Sequence, residues 1–283
     1  MIKLKDVTKK YGKKVVLDRV NLEFSNPYGI YGLLGRNGVG KTTMMTMIFN
    51  MITDYEGIIE LNGQNVKNND EALAQMVYVG GEINSMNFIF QGKINKLIQY
   101  YQLMYPTFDA TFARKMLNDY KINENEAFKK LSTGNKTLVQ NVMGLATRAS
   151  ISIFDEPTNG LDSVNRKKFF DFMMADYEKY PRMIVLSTHL IQEVENYLTD
   201  VIMLKDSTVL LDEMIEVIQE KAYRINNYYP ENKNIIHQES LGNYNIYDIY
   251  DELSDDERQT INKAGGTIEH LDLQTLFNDL MEG

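Results

Sequence analysis

The sequence contains no cysteine and no long apolar run among its 283 residues. The missing cysteine excludes disulfides and cysteine-based metal sites, as is typical of a cytosolic protein. No apolar segment approaches the roughly 18 residues that a membrane-spanning helix needs, so the sequence does not predict a channel. The start also lacks the charged-then-apolar pattern of a secretory signal.

Positive charge is scarce in the last quarter of the chain. Residues 211–283 carry sixteen acidic against five basic residues, whereas residues 1–210 carry 23 against 25. Nucleic acids bind to basic surfaces, so the sequence predicts no nucleic-acid partner. The alternative for the acidic region is a solvated face without a binding role.

The order of the apolar segments predicts an α/β protein with one large and one small domain. Short β-branched segments, among them "SISIFDEP" and "RMIVLST", flank the helical residues 163–178, and this alternation predicts a parallel sheet. The first third of the chain reads as strands, and residues 84–130 read mostly as helix. A smaller α/β region follows and ends in the helical "LDLQTLFNDLMEG".

The segment "GRNGVGKT", Gly35 to Thr42, fits the phosphate-loop pattern G-x-x-x-x-G-K-[ST]. It follows an apolar strand and opens a helix, so its backbone N–H groups can surround a phosphate at the positive end of that helix. Lys41 supplies a charge for the β- and γ-phosphates, and Thr42 offers a hydroxyl to Mg²⁺. The pattern therefore predicts a site for ATP and Mg²⁺.

Two carboxylates end the apolar strand "ISIFD", and one histidine ends the strand "VLSTH". Asp155 is the predicted ligand of Mg²⁺, and Glu156 is the predicted general base for an attacking water. His189 is a candidate contact for the γ-phosphate, because ligands gather at the carboxyl ends of parallel strands. The alternatives are a surface turn for the acids and a structural role for the histidine.

The loop "LSTGNK", residues 131–136, has two interpretations. Gly, Ser and Asn make turns, but the same residues at a helix start can bind an anion through a hydroxyl and free N–H groups. The hexapeptide alone leaves both open.

Taken in order, these motifs resemble those of the ATPase subunit of an ATP-binding cassette (ABC) transporter. The resemblance covers residues 1–210 and includes Tyr11, "GRNGVGKT", "LSTGNK", "SIFDEP", "NGLD" at 159–162 and "STH" at 187–189. It implies a P-loop NTPase fold: a RecA-like parallel core with an N-terminal antiparallel β part. It also implies an inserted helical subdomain at about residues 84–148, and leaves residues 211–283 as a small accessory domain.

The resemblance implies a role for each matching residue. Tyr11 would stack on adenine, Asp162 would be the D-loop acid, and His189 would be the switch histidine, acting with Glu156 and Lys41 in catalysis. Ser132 and Gly134 of the signature loop would contact the ATP of a second subunit in a head-to-tail dimer. The implied ATP-binding residues are Tyr11, Gly35, Asn37, Gly38, Gly40, Lys41, Thr42 and Thr43.

The sequence departs from the family pattern at two places. The signature is usually LSGGQ, and here Thr133 and Asn135 replace a Gly and the Gln. A Gln that touches Mg²⁺ normally follows the strand that matches "MVYV", and here Gly81 stands in its place. Glu82 is the candidate replacement as a metal ligand, because Gln91 lies too far along the chain.

A finer resemblance, to ABC-2-type exporter ATPases of low-GC bacteria, rests on "YYQLMYPTFDATFARKMLNDYKI". Some of those subunits export antimicrobial or amphipathic toxin peptides such as phenol-soluble modulins. The implied partners are a membrane permease and a second ATPase subunit, identical or related, at the cytoplasmic face of the cell membrane. The alternatives are a degenerate cassette with a regulatory or structural role and a non-transport ABC ATPase.

Overall fold

The computed structural model describes residues 1–67, 69–80, 92–242 and 244–282. The first ten strands are β1 (Ile2–Tyr11), β2 (Lys14–Phe24), β3 (Ile30–Gly35), β4 (Glu56–Leu61), β5 (Gln64–Asn65), β6 (Met76–Gly80), β7 (Ile151–Asp155), β8 (Met183–Ser187), β9 (Asp200–Lys205) and β10 (Thr208–Met214). The first seven helices are α1 (Lys41–Ile48), α2 (Asp70–Leu73), α3 (Ile94–Met104), α4 (Ala110–Asp119), α5 (Thr133–Thr147), α6 (Ser163–Tyr177) and α7 (Ile191–Val194).

The chain divides into two compact units. The first contains Met1–His189 and Ile202–Leu211, and the second contains Leu190–Val201 and Asp212–Gly283. The predicted domain boundary after residue 210 stays a prediction, and by their contacts residues 190–201 cluster with the second unit. The reason is a long-range contact within the second unit, where helix α7 packs against the last helix of the chain.

A parallel sheet forms the centre of the first unit, as the alternation of strands and helices predicts. Its strand order is β10-β9-β3-β8-β7-β6, and β3, β8, β7 and β6 pair in parallel. Strands β7 and β8 are buried along their whole length, which explains their continuous apolar sequences. Since parallel strands end at the same edge, this sheet brings the residues after β3, β7 and β8 together.

A second, antiparallel sheet of the first unit has the order β2-β1-β4-β5. Strands β1 and β2 form a hairpin that turns at Gly12, whose φ of 60° suits a tight turn. Apolar residues of both sheets and of α1 form one core, which includes Phe24, Met44 and Ile153.

Helices α3, α4 and α5 lie within the segment predicted as a helical subdomain. Helix α5 packs on α4 and also on strands β6 and β7 of the parallel sheet. Its start, directly after "LS", therefore has a fixed position relative to the carboxyl ends of those strands.

The second unit contains an antiparallel sheet with the strand order β12-β13-β11-β14. Its remaining elements are α8 (Ile215–Lys221), β11 (Ala222–Asn226), β12 (Ile235–Leu241), β13 (Tyr244–Tyr250), α9 (Asp255–Lys263), β14 (Thr267–His270) and α10 (Leu273–Glu282). Tyr223, Ile225, Ile249, Leu253 and Ile261 form its apolar core. These elements confirm the predicted α/β class and the predicted final helix. In the described part of the chain, every helix is too short or too polar to cross a membrane.

Candidate functional site

The phosphate loop connects the end of β3 to the start of α1. Gly38 and Gly40 have φ angles of 79° and 119°, which side chains other than glycine adopt only at a cost. A Cβ on Gly40 would also lie 3.0 Å from the carbonyl oxygen of Val16 on β2. Gly40 precedes α1, so the free N–H groups of the first helical turn face this loop. The loop thus has the backbone geometry that binds a phosphate.

Lys41 is the buried cation of the loop. Its ammonium group donates hydrogen bonds to the carbonyl oxygens of Gly35 at 2.7 Å and Arg36 at 3.4 Å. Burial lowers the pKa of Lys41, while the charges of Glu156 and Asp155 oppose that shift. The charges of the acids at the strand ends therefore act on the cation of the loop.

The remaining residues predicted to bind ATP lie at the edge of this loop. Thr42, Asn37 and Gly38 are exposed, and Thr43 is half-buried. Tyr11, at the end of β1, is 50% exposed, so its ring is available for stacking. The ammonium group of Lys9 lies 4.8 Å from the centre of that ring.

Asp155 ends strand β7 and is 4% exposed. Its Oδ1 accepts a hydrogen bond from the Ser187 hydroxyl at 2.5 Å, and its Oδ2 accepts one from the Tyr78 hydroxyl at 3.0 Å. Burial and the nearby Asp155 charge raise the pKa of Tyr78, so its hydroxyl acts as a donor. The carboxylate is held in place by these two neutral hydroxyls.

Glu156 follows Asp155 with its backbone in the left-handed region, at a φ of 51°. This conformation costs a residue other than glycine about 1–2 kcal/mol. Its N–H group donates to Ser187, to the hydroxyl oxygen at 2.9 Å and the carbonyl oxygen at 3.2 Å. The carboxylate of Glu156 contacts His189, whereas that of Asp155 contacts Ser187 and Tyr78, so the two neighbouring acids have different partners.

The Glu156 carboxylate lies 2.8 Å from Nδ1 of His189. The sequence placed both residues at strand ends, and the structure brings them together. If Nδ1 carries the hydrogen and donates it to Glu156, the neutral ring presents Nε2 as an acceptor. Only the doubly protonated ring can hold Glu156 and donate to a phosphate oxygen at the same time.

Ser132 begins helix α5 and caps it. Its hydroxyl accepts a hydrogen bond from the N–H group of Asn135 at 3.2 Å, and the residue remains exposed. A Cβ on Gly134 would lie 3.2 Å from the carbonyl oxygen of Gly160. The start of α5 therefore packs closely on the loop that follows Glu156, and both interpretations of "LSTGNK" fit this geometry.

Asp162 caps helix α6 within its own chain. Its carboxylate accepts hydrogen bonds from the N–H group of Asn165 at 2.8 Å and from the Asn165 side chain at 3.0 Å. The predicted role of Asp162 in the D-loop remains a prediction. Gly81, Glu82 and Gln91 lie outside the described residues, so the proposed ligand role of Glu82 also remains a prediction.

The donors at this edge of the sheet fit Mg²⁺. No group of three or more His, Cys, Asp or Glu residues suited to a metal ion occurs in the described ranges. Mg²⁺ needs few protein ligands in phosphate sites, since it keeps several waters and binds phosphate oxygens. The Thr42 hydroxyl and the charged Asp155 carboxylate are hard oxygen donors of the required type.

The hydroxyls of Tyr78 and Ser187 are two functional candidates that the sequence did not predict. Tyr78 is the single polar side chain in the strand "MVYVG", and Ser187 is the polar residue that ends "MIVLS". A hydroxyl in a buried strand needs a partner, which is the signal that would have singled them out.

Comparison with known proteins agrees with the motifs. Residues 17–159 match the family described as ABC transporter. The ABC transporter ATP-binding protein YtrB of Bacillus subtilis is 30% identical over 220 residues, which cover 76% of this chain and 74% of that protein. The bacitracin transport ATP-binding protein BcrA of Enterococcus faecalis is 29% identical over 217 residues, which cover 76% of this chain and 69% of BcrA.

Solved structures show the same fold. The ATP-binding subunit of an ABC transporter superposes with a TM-score of 0.65 at 21% identity, covering 77% of this chain and 92% of that chain. A dimeric ATP-binding cassette in a post-hydrolysis state, bound to ADP and phosphate, superposes with a TM-score of 0.64 at 24% identity. It covers 76% of this chain and 99% of that chain. The predicted cassette fold is confirmed.

Proposed function

The chain belongs to the ABC transporter family as an ATP-binding cassette ATPase, and on that premise we propose that it powers a separate membrane permease by hydrolysing ATP. The observation that carries the proposal is the pair of Glu156 and His189, 2.8 Å apart at the strand ends beside the phosphate loop. A general base and a residue that orients it are what hydrolysis requires beyond nucleotide binding. This pair favours an active enzyme over a degenerate cassette.

Binding of ATP relies on the loop and on Tyr11. The Lys41 ammonium exchanges its bonds to Gly35 and Arg36 for the β- and γ-phosphate oxygens, and the N–H groups around Gly40 surround the β-phosphate. Thr42 and Asp155 would hold Mg²⁺, with Glu82 as a further candidate ligand, and the bound ion would offset negative charge on the phosphates.

Hydrolysis relies on Glu156. Its carboxylate takes a proton from a water in line with the γ-phosphate, and the Nδ1 contact to His189 holds the carboxylate in that direction. The doubly protonated His189 ring can then donate from Nε2 to the γ-phosphate. Glu156 thus binds the attacking water while His189 binds the γ-phosphate that is transferred.

A head-to-tail dimer completes each site. Ser132 is exposed at the positive end of the fifteen-residue helix α5, and such an end attracts an anion. We place this hydroxyl, together with the N–H groups around Gly134, on the γ-phosphate of ATP bound by a second subunit. Asp162 lies at that dimer interface. Loss of the γ-phosphate removes the contact and loosens the dimer.

The variant Glu156→Gln tests hydrolysis. It keeps the shape of the side chain but removes the base, so turnover should fall by about 10²- to 10⁴-fold while ATP binding persists. Light scattering should then show an ATP-dependent dimer. The matched control is Glu220→Gln, an exposed acid of α8, which should hydrolyse ATP like the wild type. Hydrolysis by Glu156→Gln at the rate of that control would disprove the role of general base.

Helix α3 offers a docking surface for the permease. Ile94, Leu97 and Ile98 of this helix are buried, so one side of α3 belongs to the apolar core. Tyr100, Leu103 and Met104 are exposed by 55%, 85% and 56%, and their spacing puts them on one face. An exposed apolar face of this kind favours a partner.

Co-purification with the permease tests this surface. Leu103→Asp should abolish permease binding and the stimulation of ATPase by the permease, because a charge on an apolar contact is costly to bury. The control Met214→Asp changes another exposed apolar residue, which lies in the second unit. Retention of the permease by Leu103→Asp would exclude this face.

We place the chain in the ABC-2-type exporter branch, peripheral at the cytoplasmic face of the cell membrane, with an antimicrobial or amphipathic toxin peptide as cargo. The exporter-like segment of residues 100–122 and the relative named for bacitracin transport support this proposal. Relatives named for galactose import and zinc uptake define the competing possibilities. Vesicles with the permease should move an amphipathic helical peptide in an ATP-dependent way, and uptake of sugar or zinc instead would refute it.

A further inference from the structure

The carboxylate of Asp155 accepts hydrogen bonds from two hydroxyls, those of the buried Ser187 and the half-buried Tyr78. Ser187 donates to Oδ1 at 2.5 Å and Tyr78 donates to Oδ2 at 3.0 Å. Among the described residues, no Lys, Arg or His nitrogen lies within ion-pair distance of this carboxylate. Each oxygen accepts one of these bonds and keeps a second lone pair, so the carboxylate is oriented and can still act as a ligand.

The sheet fixes both hydroxyls. Gly80 on β6, Asp155 on β7 and Ser187 on β8 are direct partners in the parallel register. Tyr78 lies two residues before Gly80 and so on the same face of its strand. Its ring packs on Phe49 at the end of α1, with 5.8 Å between ring centres. The ring is thus held by apolar contact, and its hydroxyl reaches the acid.

Gly80 allows the close pairing that this arrangement needs. A Cβ at Gly80 would lie 2.2 Å from the carbonyl oxygen of Asp155, and the residue has a φ of 127°. Any side chain would therefore push β6 away from β7 and move the Tyr78 hydroxyl away from the carboxylate.

Ser187 also connects the two acids. Its hydroxyl donates to Asp155 and accepts the N–H group of Glu156 at 2.9 Å. One buried oxygen therefore fixes the direction of the Asp155 carboxylate and the left-handed backbone of Glu156. Tyr78, in contrast, contacts only the first acid, so the two hydroxyls affect the site differently.

We propose that Tyr78 and Ser187 form a hydroxyl clamp that orients Asp155 for Mg²⁺, and that Ser187 additionally positions Glu156 for attack by water. This inference rests on the proposed function, because it assigns positioning residues to the same ATPase site. Groups that hydrogen-bond a metal ligand fix its direction, and their loss typically costs about 10- to 100-fold in metal affinity.

The test compares Tyr78→Phe and Ser187→Ala with two matched controls. Tyr120 carries a buried hydroxyl without a hydrogen-bond partner among the described residues, and Ser152 on β7 does likewise. Tyr120→Phe and Ser152→Ala therefore remove the same atoms without touching the acids. Near-ultraviolet circular dichroism verifies that all four variants fold.

The first readout is metal binding without turnover. Titration of Mn²⁺, as a paramagnetic substitute for Mg²⁺, into the protein with a non-hydrolysable ATP analogue should show about tenfold weaker metal binding for Tyr78→Phe. Binding of the analogue without metal should stay at the wild-type value. The second readout is the Mg²⁺ dependence of kcat, where Tyr78→Phe should raise the Mg²⁺ requirement more than it lowers kcat. Ser187→Ala should raise the Mg²⁺ requirement and also lower kcat at saturating Mg²⁺, because it loses its bonds to both acids.

Three outcomes separate the hypotheses. Metal affinity of Tyr78→Phe equal to that of Tyr120→Phe overturns the clamp. A Ser187→Ala variant whose kcat at saturating Mg²⁺ matches that of Ser152→Ala overturns the link to Glu156. A wild-type protein that binds but does not hydrolyse ATP, alone or with its permease, refutes the proposed function and leaves the metal-binding result of the clamp measurable.

Discussion

The two units each bury an aspartate on a central strand, but they compensate its charge in different ways. Asp155 of the first unit accepts bonds from two neutral hydroxyls. Asp248 of the second unit is fully buried and forms a two-pronged ion pair with Arg224, at 2.8 and 2.7 Å. A buried carboxylate that has no ion-pair contact among the described residues can accept a ligand cation, whereas a carboxylate in an ion pair already has its cation within the fold.

The row of charges around Asp248 extends across the second unit's sheet. The sheet register aligns His237, Asp248, Arg224 and Glu269 on neighbouring strands. Asp279 of helix α10 packs against this row, and burial followed by its bond to Asp248 raises the pKa of Asp279 to about 7. This unit thus uses its charges to attach its last helix, and the comparison predicts that changes here alter stability while changes at Asp155 alter chemistry.

The largest expected effect is loss of stability in Arg224→Met. This change leaves Asp248 buried and unpaired, and removing one partner of a buried pair costs about 3–5 kcal/mol. Denaturant unfolding of the whole chain measures the loss. The double variant Arg224→Met with Asp248→Asn should recover part of it, because no buried charge remains. Equal destabilisation of single and double variants would show that packing, and not charge, is what Arg224 supplies.

Next in size is the loss of ATP affinity in Lys41→Ala. The substitution removes the cation of the phosphate loop, so binding of a fluorescent ATP analogue should weaken by about 100-fold, or about 2.7 kcal/mol. The free energy of unfolding without nucleotide should change much less, in contrast with Arg224→Met. Lys115→Ala, an exposed cation of α4, is the control. An unchanged affinity would refute the phosphate-loop assignment.

A smaller effect is the pH dependence of the second unit. The folded-state pKa of Asp279, about 7, lies above its unfolded value of 3.8, so the folded chain binds more protons between these values. This contribution to stability is complete below about pH 4 and is lost as the pH rises through 7. The groups that face Asp279 are Asp248, Arg224 and His237, with Glu269 acting through Arg224.

Melting curves from pH 5 to 8 measure this dependence. The Tm of the wild type should fall by a few degrees over that range, because a loss of about 1 kcal/mol in the free energy of unfolding shifts the Tm of a domain of this size by that amount. Asp279→Asn removes the titrating group, so its curve should be flatter. A wild-type slope retained in Asp279→Asn would assign the titration to another group.

The sequence was sufficient for the parts of the site that depend on local pattern. A glycine-rich loop between a strand and a helix can be recognised from its local sequence alone. Residues that follow parallel strands meet at one edge of the sheet, and this rule predicted that Asp155, Glu156 and His189 lie together. The Tyr78 and Ser187 contacts depend on the register between strands that lie far apart in the chain, which no local pattern gives. The Arg224–Asp248 pair could not be predicted for the same reason, since 24 residues and an irregular loop separate its members.

Two serine residues that cap helices, one in each unit, allow the most detailed comparison of the two units. "LSTGN" at 131–135 and "LSDDE" at 253–257 both begin a helix with a serine whose hydroxyl accepts the N–H group three residues on. Ser254 is part of a full capping box, because its own N–H group donates to Glu257 at 2.8 Å. Asn135 stands where Glu257 would, and the described contacts of Ser132 include no such return bond.

The smallest predicted effect follows from this difference. Ser254→Ala should destabilise the chain by about 1 kcal/mol and leave ATP-dependent dimerisation unchanged, because the lost bonds serve only α9. Ser132→Ala should cost less in unfolding free energy but weaken the dimer, measured by light scattering with ATP in the Glu156→Gln background. If the dimer survives Ser132→Ala, the Ser132 hydroxyl is a helix cap like that of Ser254. The contact to the γ-phosphate of the partner's ATP would then be made by the N–H groups around Gly134.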